Sequence, residues 1–203
     1  EIDDEELLLS TAVAMVCKQE PFLRLDNNLL KRESLELFNQ AAYKGALEAI
    51  MRLAFIEQSN SEENEPSARE KNLFWLKKAA DTGNFEAMFS LGVYEFRDGD
   101  AMLGVSLIEQ AANNNIVEAM QWLGNAYKQG IGHFEIDLSK ALSWYIESTY
   151  YHGYWARDEI MYDIGVIYSK IEAPENSEKS VKWCKDAAKL GNDSAKNNIE
   201  LLN

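Results

Sequence analysis

The feature that most constrains this chain is a recurring pattern: two small residues, a turn, then a Glu-Ala or similar step opening the next segment. It runs from Ala41-Ala42 to Glu48-Ala49, from Ala79-Ala80 to Glu86-Ala87, and from Ala111-Ala112 to Glu118-Ala119. A closing copy runs from Ala187-Ala188 to Ser194-Ala195, and a weaker one has Ser148-Thr149 for the Ala pair and His152-Gly153 at the turn. The pairs start at 41, 79, 111, 148 and 187, giving spacings of 38, 32, 37 and 39 residues. A unit of this length cannot bury its apolar face alone, so successive copies must stack on one another.

Each copy reads as two helices. Apolar residues precede the pair at helical intervals, as Trp75-Leu76, Leu107-Ile108, Trp144-Tyr145 and Trp183-Cys184. After the turn an apolar stripe recurs at i, i+4 and i+8, as in Ala119, Leu123 and Tyr127. Alanine at the pair lets two helix backbones approach closely. Gly45, Gly83 and Gly191 fall where a left-handed helix end is wanted, and Asn115 tolerates the same backbone. Asp100, Asp137 and Asn176 are expected N-caps. The polar, Pro-containing run Ser59 to Ser67 reads as an exposed loop between repeats. Nothing alternates with period two for long, so strands have no support.

These residues carry a family resemblance. Gly130-Ile131-Gly132, Asp137-Leu138-Ser139-Lys140-Ala141, Trp144-Tyr145, Leu91-Gly92 and Leu123-Gly124-Asn125-Ala126-Tyr127 resemble the Sel1-like repeat. The resemblance covers roughly residues 33 to 203 and is most specific in the third repeat. It implies an all-α chain: a right-handed α/α solenoid of about five helix pairs, related to tetratricopeptide repeats, serving as a protein-interaction scaffold without cofactor. Glu95 stands where the family pattern has Tyr, and Arg52-Leu53-Ala54 replaces Leu-Gly. Residues 1–28 fit no repeat, and Glu5 to Lys18 is expected to form an N-terminal capping helix. The domain reading is therefore one solenoid over 1–203, with a cap region at 1–28 and repeats over 29–203.

Charge narrows the partner. Twenty Lys plus Arg against 34 Asp plus Glu leave a net charge of −14, which repels nucleic-acid phosphates and anionic lipid and suits a basic partner. No apolar run approaches the about 18 residues of a membrane span. The longest, Leu7 to Val16, follows acidic residues and so is not a signal peptide. The chain begins with Glu1 and not Met, as after trimming, and the compartment, cytoplasmic or periplasmic, stays open. Cys17 and Cys184 read as buried small apolar residues. His133 and His152 have no Cys or carboxylate at ligand spacing and read as solvated surface groups. Gly130-Ile131-Gly132 lacks the strand and third glycine of a dinucleotide loop. Glu62-Glu63, Glu65 and Asp158-Glu159 read as solvated loop carboxylates. No catalytic, cofactor or metal residue is assigned.

The resemblance puts the Leu-Gly helices, at about 46–58, 84–97, 116–129, 157–170 and 192–202, on a concave surface. Equivalent positions then form rows: Glu48, Glu86, Glu118 and Glu159; Met51, Phe89, Gln121 and Tyr162; and Phe55, Val93, Asn125 and Val166. The acidic row with Phe89, Gln121 and Tyr162 is the expected groove, acids for steering and apolar groups for anchoring. Tyr151, Tyr154 and Trp155, in the aromatic turn Tyr150–Trp155, are expected to add contacts. The expected function is non-catalytic protein binding. Within the family's range this includes an immunity-type protein masking a basic toxin or effector. A scaffold or adaptor in signalling or envelope assembly is the alternative, and an enzyme using acidic residues a remote one.

Overall fold

The computed structural model describes residues 27–44, 46–60, 66–151, 157–171 and 173–200. Among them lie ten helices: α1 (Asn27–Lys44), α2 (Leu47–Asn60), α3 (Pro66–Asp81), α4 (Phe85–Asp98), α5 (Ala101–Asn113), α6 (Val117–Gln129), α7 (Leu138–Thr149), α8 (Arg157–Lys170), α9 (Pro174–Leu190) and α10 (Asp193–Glu200). No described residue is in a strand. The helix pairs expected from the repeat are present. The expected capping helix, Cys17 and His152 lie outside the described residues. Chain contacts gather into two compact units, divided within α5 between Leu107 and Ile108.

The first unit holds its core at the Ala pairs. Ala41, Ala42 and Ala79 have no exposed surface, Ala80 has 7%, and Phe38, Ile50, Leu53, Trp75, Leu76 and Leu91 pack among them. Trp75 meets Tyr43 and Phe74 edge-on, with ring centroids 5.3 and 5.0 Å apart. Between α4 and α5 the approach is closer still. A Cβ on Gly104 would stand 2.4 Å from the Phe96 nitrogen and 2.7 Å from the Gly92 carbonyl oxygen, so glycine there permits near backbone contact. The turn from α3 to α4 uses Gly83 at φ +86°, and Asn84 then accepts the Ala87 N–H at 2.8 Å as the N-cap of α4. Asp100 caps α5 as expected, accepting from Met102 and Leu103.

The second unit repeats this logic. Ala111, Ala112 and Ala187 are wholly buried, as are Ile108, Leu123, Tyr145 and Ile164. Ser148 and Thr149 fill the weaker pair and are buried too; their hydroxyls donate back to Tyr145 and Ile146 carbonyls, each at 2.7 Å, so neither polar group is stranded. Asn115 takes the left-handed backbone at φ +68° and Gly191 does so at φ +115°. Asp137 caps α7 through the Lys140 N–H at 2.9 Å. Asn192, not singled out from sequence, caps α10 through the Ala195 N–H at 2.8 Å. Cys184 is a free, buried thiol on α9.

Two local expectations need correction. Asn176 does not cap α9; Ala173 occupies that position and Pro174 follows. Asn176 instead lies buried in the first turn, where its Nδ2 donates to the Ile171 carbonyl at 3.1 Å and ties the preceding loop down. The run Ser59 to Ser67 is not all loop, because α2 continues to Asn60 and α3 begins at Pro66. Proline suits a first helical turn, whose N–H would have no helical partner anyway.

Candidate functional site

Helices α2, α4, α6 and α8 set the acidic positions by one repeated step. Glu48, Glu86, Glu118 and Glu159 are exposed, while the residue after each, Ala49, Ala87, Ala119 or Ile160, is buried. One residue turns a helix by about 100°, so fixing the inner residue against the core leaves the preceding carboxylate in solvent. Glu48 accepts from Arg52 Nε at 2.8 Å, one turn along α2. Glu86, Glu118 and Glu159 have no ion pair with a described residue. In the first unit this gives Glu48 and Glu86, and in the second Glu118 and Glu159.

The expected anchors divide. Phe89 is half-buried on α4. Tyr162 is half-buried and packs against the core of Met161, Ala187 and Ala195, its hydroxyl accepting from Asn198 Nδ2 at 2.9 Å. Gln121 is buried, with 9% of its surface exposed, and so offers little to a partner. Tyr151 is half-buried and its hydroxyl donates to Asn115 Oδ1, which braces the end of α7 against the α5–α6 turn. Tyr154 and Trp155 lie outside the described residues. His133 is exposed, stacked on Phe134 at 4.8 Å between centroids.

A half-buried polar bridge stiffens the second unit. Lys128 of α6 meets Asp163 of α8 at 2.6 Å and lies 5.5 Å over the Tyr145 ring. Tyr145 donates to Asn125 Oδ1 at 2.8 Å. Burial first, and the Asp163 charge second, push the Tyr145 phenol well above its ordinary value, so it serves as a neutral donor. In the first unit Glu95 is buried; it pairs with Lys77 at 3.5 Å and accepts the Asp100 N–H at 3.2 Å. These groups hold helices together. Among the described residues no cluster of three His, Cys, Asp or Glu is placed to hold a metal ion, and no helix is long and apolar enough to cross a membrane.

Sequence reasoning missed one feature. A cleft of about 310 Å³ in the second unit is lined by Asn113, Asn115, Met120, Ser143, Trp144 and Glu147. Trp144 occupies the repeat position of Trp75, four residues before the pair, yet Trp75 is only 4% exposed and Trp144 remains partly open. The two positions are the same in sequence, so the opening beside Trp144 shows only in the fold.

Helix pairs with small paired residues at each crossing define a helical-repeat protein. The sequence profile of the Sel1 repeat matches residues 48–84, 85–115, 117–149 and 159–192, and the chain belongs to that family. Each matched unit begins on the Leu-Gly helix and runs through the next, so α1 stands before the first and α10 after the last. A Sel1 repeat protein from Oxalobacter formigenes superposes with TM-score 0.73 at 22% identity, over 98% of this chain and 56% of that one. A protective antigen with an SLR fold from uropathogenic Escherichia coli gives 0.57 at 15%, over 96% and 48%. A sel1 repeat protein from Klebsiella pneumoniae subsp. pneumoniae gives 0.54 at 19%, over 97% and 92%. The chain thus spans about half the length of the first two. These likenesses place the fold among the all-α Sel1-repeat solenoids. No curated protein matches the chain.

Proposed function

We propose that this Sel1 repeat protein is a non-catalytic protein-binding module that takes a partner with a basic surface. One observation carries the reading: the same repeat position is an exposed carboxylate in α2, α4, α6 and α8, in a chain of net charge −14. Repeated exposure of one charge type at one register gives a partner several equivalent points of attraction, which steers encounter and rejects acidic surfaces. Phe89 and Tyr162 supply apolar contact beside those acids, to which we add the contacts expected of Tyr151, Tyr154 and Trp155. Masking of a basic toxic effector is the specific form that family resemblance suggests; an adaptor holding several proteins is the other.

Capture from an extract of the native host tests this. The immobilised chain is compared with a Glu86→Gln, Glu118→Gln, Glu159→Gln variant that retains its helix content and melting temperature. The native chain is expected to retain a protein that the variant loses. Equal retention by both overturns the role of the acids. A single partner at one-to-one stoichiometry favours masking, and several weaker partners favour the adaptor.

A further inference from the structure

The cleft in the second unit has a chemistry of its own. It lies where the C-terminal end of α5 and the start of α6 face the middle of α7. Met120 and Ala112, both buried, give it an apolar floor, and Asn113, Asn115 and Ser143 bring amide and hydroxyl oxygens. Trp144 and Glu147 come from α7 three residues apart, hence from neighbouring turns of one face. Trp144 keeps part of its surface open and has neither a ring contact nor a hydrogen bond to a described residue. Glu147 is exposed and meets no cation among the described residues.

The electrostatics of this lining are negative on balance. Asn113 is the last residue of α5, so the carbonyl end of that helix, with its partial negative charge, borders the cleft. Glu147 adds a full negative charge, and no Lys or Arg is among the lining residues. The start of α6 brings a partial positive end, offset by Glu118 in its first turn. A volume of about 310 Å³ is at the small end for ligand sites and suits one long side chain better than a folded element. A guanidinium satisfies all of this. It is planar and weakly hydrated, stacks on an indole face, and forks two N–H groups toward a carboxylate.

We propose that this cleft takes an arginine side chain of the bound protein partner, with Trp144 stacking on the guanidinium and Glu147 accepting its hydrogen bonds. The inference rests on the reading of the chain as a binder of basic partners and gives that partner a specific anchor. The α5–α6 turn that Tyr151 braces through Asn115 forms one edge of the site, so Tyr151 acts here as a support.

The test uses the peptide acetyl-Gly-Arg-Gly-amide, with its citrulline counterpart as the uncharged control. The indole N–H resonance of Trp144, assigned by its loss in Trp144→Phe, is followed during titration. The arginine peptide is expected to shift that resonance saturably and the citrulline peptide to leave it in place. Glu147→Gln, a change at an exposed position, is expected to keep the melting temperature and weaken binding roughly fivefold, the upper range for a surface ion pair. Equal shifts with both peptides, or identical affinity in Glu147→Gln, overturn the assignment. If Trp144 stays silent while the triple glutamine variant still loses its partner from the extract, the cleft is dismissed and the binding reading stands.

Discussion

Gly124 shows how one side chain sets the spacing of two helices. A Cβ built there would lie 2.5 Å from Cε1 of Tyr145, a ring with no exposed surface on α7. Neither partner has room to retreat, so Gly124→Ala is expected to destabilise by about 1–3 kcal/mol despite the better helix propensity of alanine. Urea unfolding measures it, and an unchanged midpoint would mean the ring can move. Gly165 obeys the same rule against Cys184, whose Sγ would be 2.6 Å from its Cβ. Tyr145 also carries a pH signature. In the folded chain its phenol titrates above its ordinary value of 10.0, because burial, and then Asp163, favour the neutral form. Below about pH 10 both states keep the proton and the phenol adds no pH dependence. Above it the unfolded chain deprotonates first, so stability falls as pH rises toward the folded value. Tyr145→Phe leaves Asn125 without its donor and is expected to cost about 1–2 kcal/mol at neutral pH. That deficit should shrink above about pH 10, where only the native chain carries the penalty. Unfolding midpoints from pH 7 to 11 read both effects, and parallel curves would remove the phenol from the alkaline loss.

The helices owe their ends to residues that local chemistry makes easy or hard to read. Asp100 and Asp137 were legible because an N-cap needs only a short acceptor side chain just before a helix, whatever lies elsewhere. Asp137→Ala should therefore cost about 1 kcal/mol by freeing the Lys140 N–H, with little change in helix content. Thermal melting checks it, and Asp137→Asn should restore most of the loss, since the amide oxygen keeps the acceptor. Asn176 misled because Ala173 and Pro174, just upstream, start the helix earlier and leave the asparagine to hold Ile171. Glu95 was legible only as a departure from the repeat pattern. Its partners explain it: Lys77 belongs to the preceding helix and the Asp100 N–H to the following turn, a meeting that no local window contains. Gly99 belongs to the same arrangement, because a Cβ there would come within 2.1 Å of Glu95 Oε2.

Across the whole molecule, the repeat was readable and the surface far less so, for one physical reason. Ala41, Ala79, Ala111 and Ala187 are excluded from solvent because helices cross there, and only small residues fit, so the requirement is written into the sequence. Exposure has no such signature. Gln121 and Glu118 sit on the same helix, yet one is buried and the other open, and Trp75 and Trp144 share a repeat position with different fates. What carries from the sequence to the proposed binding is the charge. A net charge of −14 with Glu86 and Glu118 exposed creates a field that acts before contact, and salt screens it over about 8 Å at physiological ionic strength. Losing two such groups removes attraction during approach while leaving the contacts of the docked complex largely intact. Glu86→Gln with Glu118→Gln should then slow association with the captured partner several-fold at low salt, alter dissociation less, and converge with the native rate as salt rises. Stopped-flow or surface-binding kinetics over a range of salt concentrations measure all three. An association rate indifferent to both salt and substitution would show that the acids do not steer, and would leave affinity to Phe89, Tyr162 and the cleft.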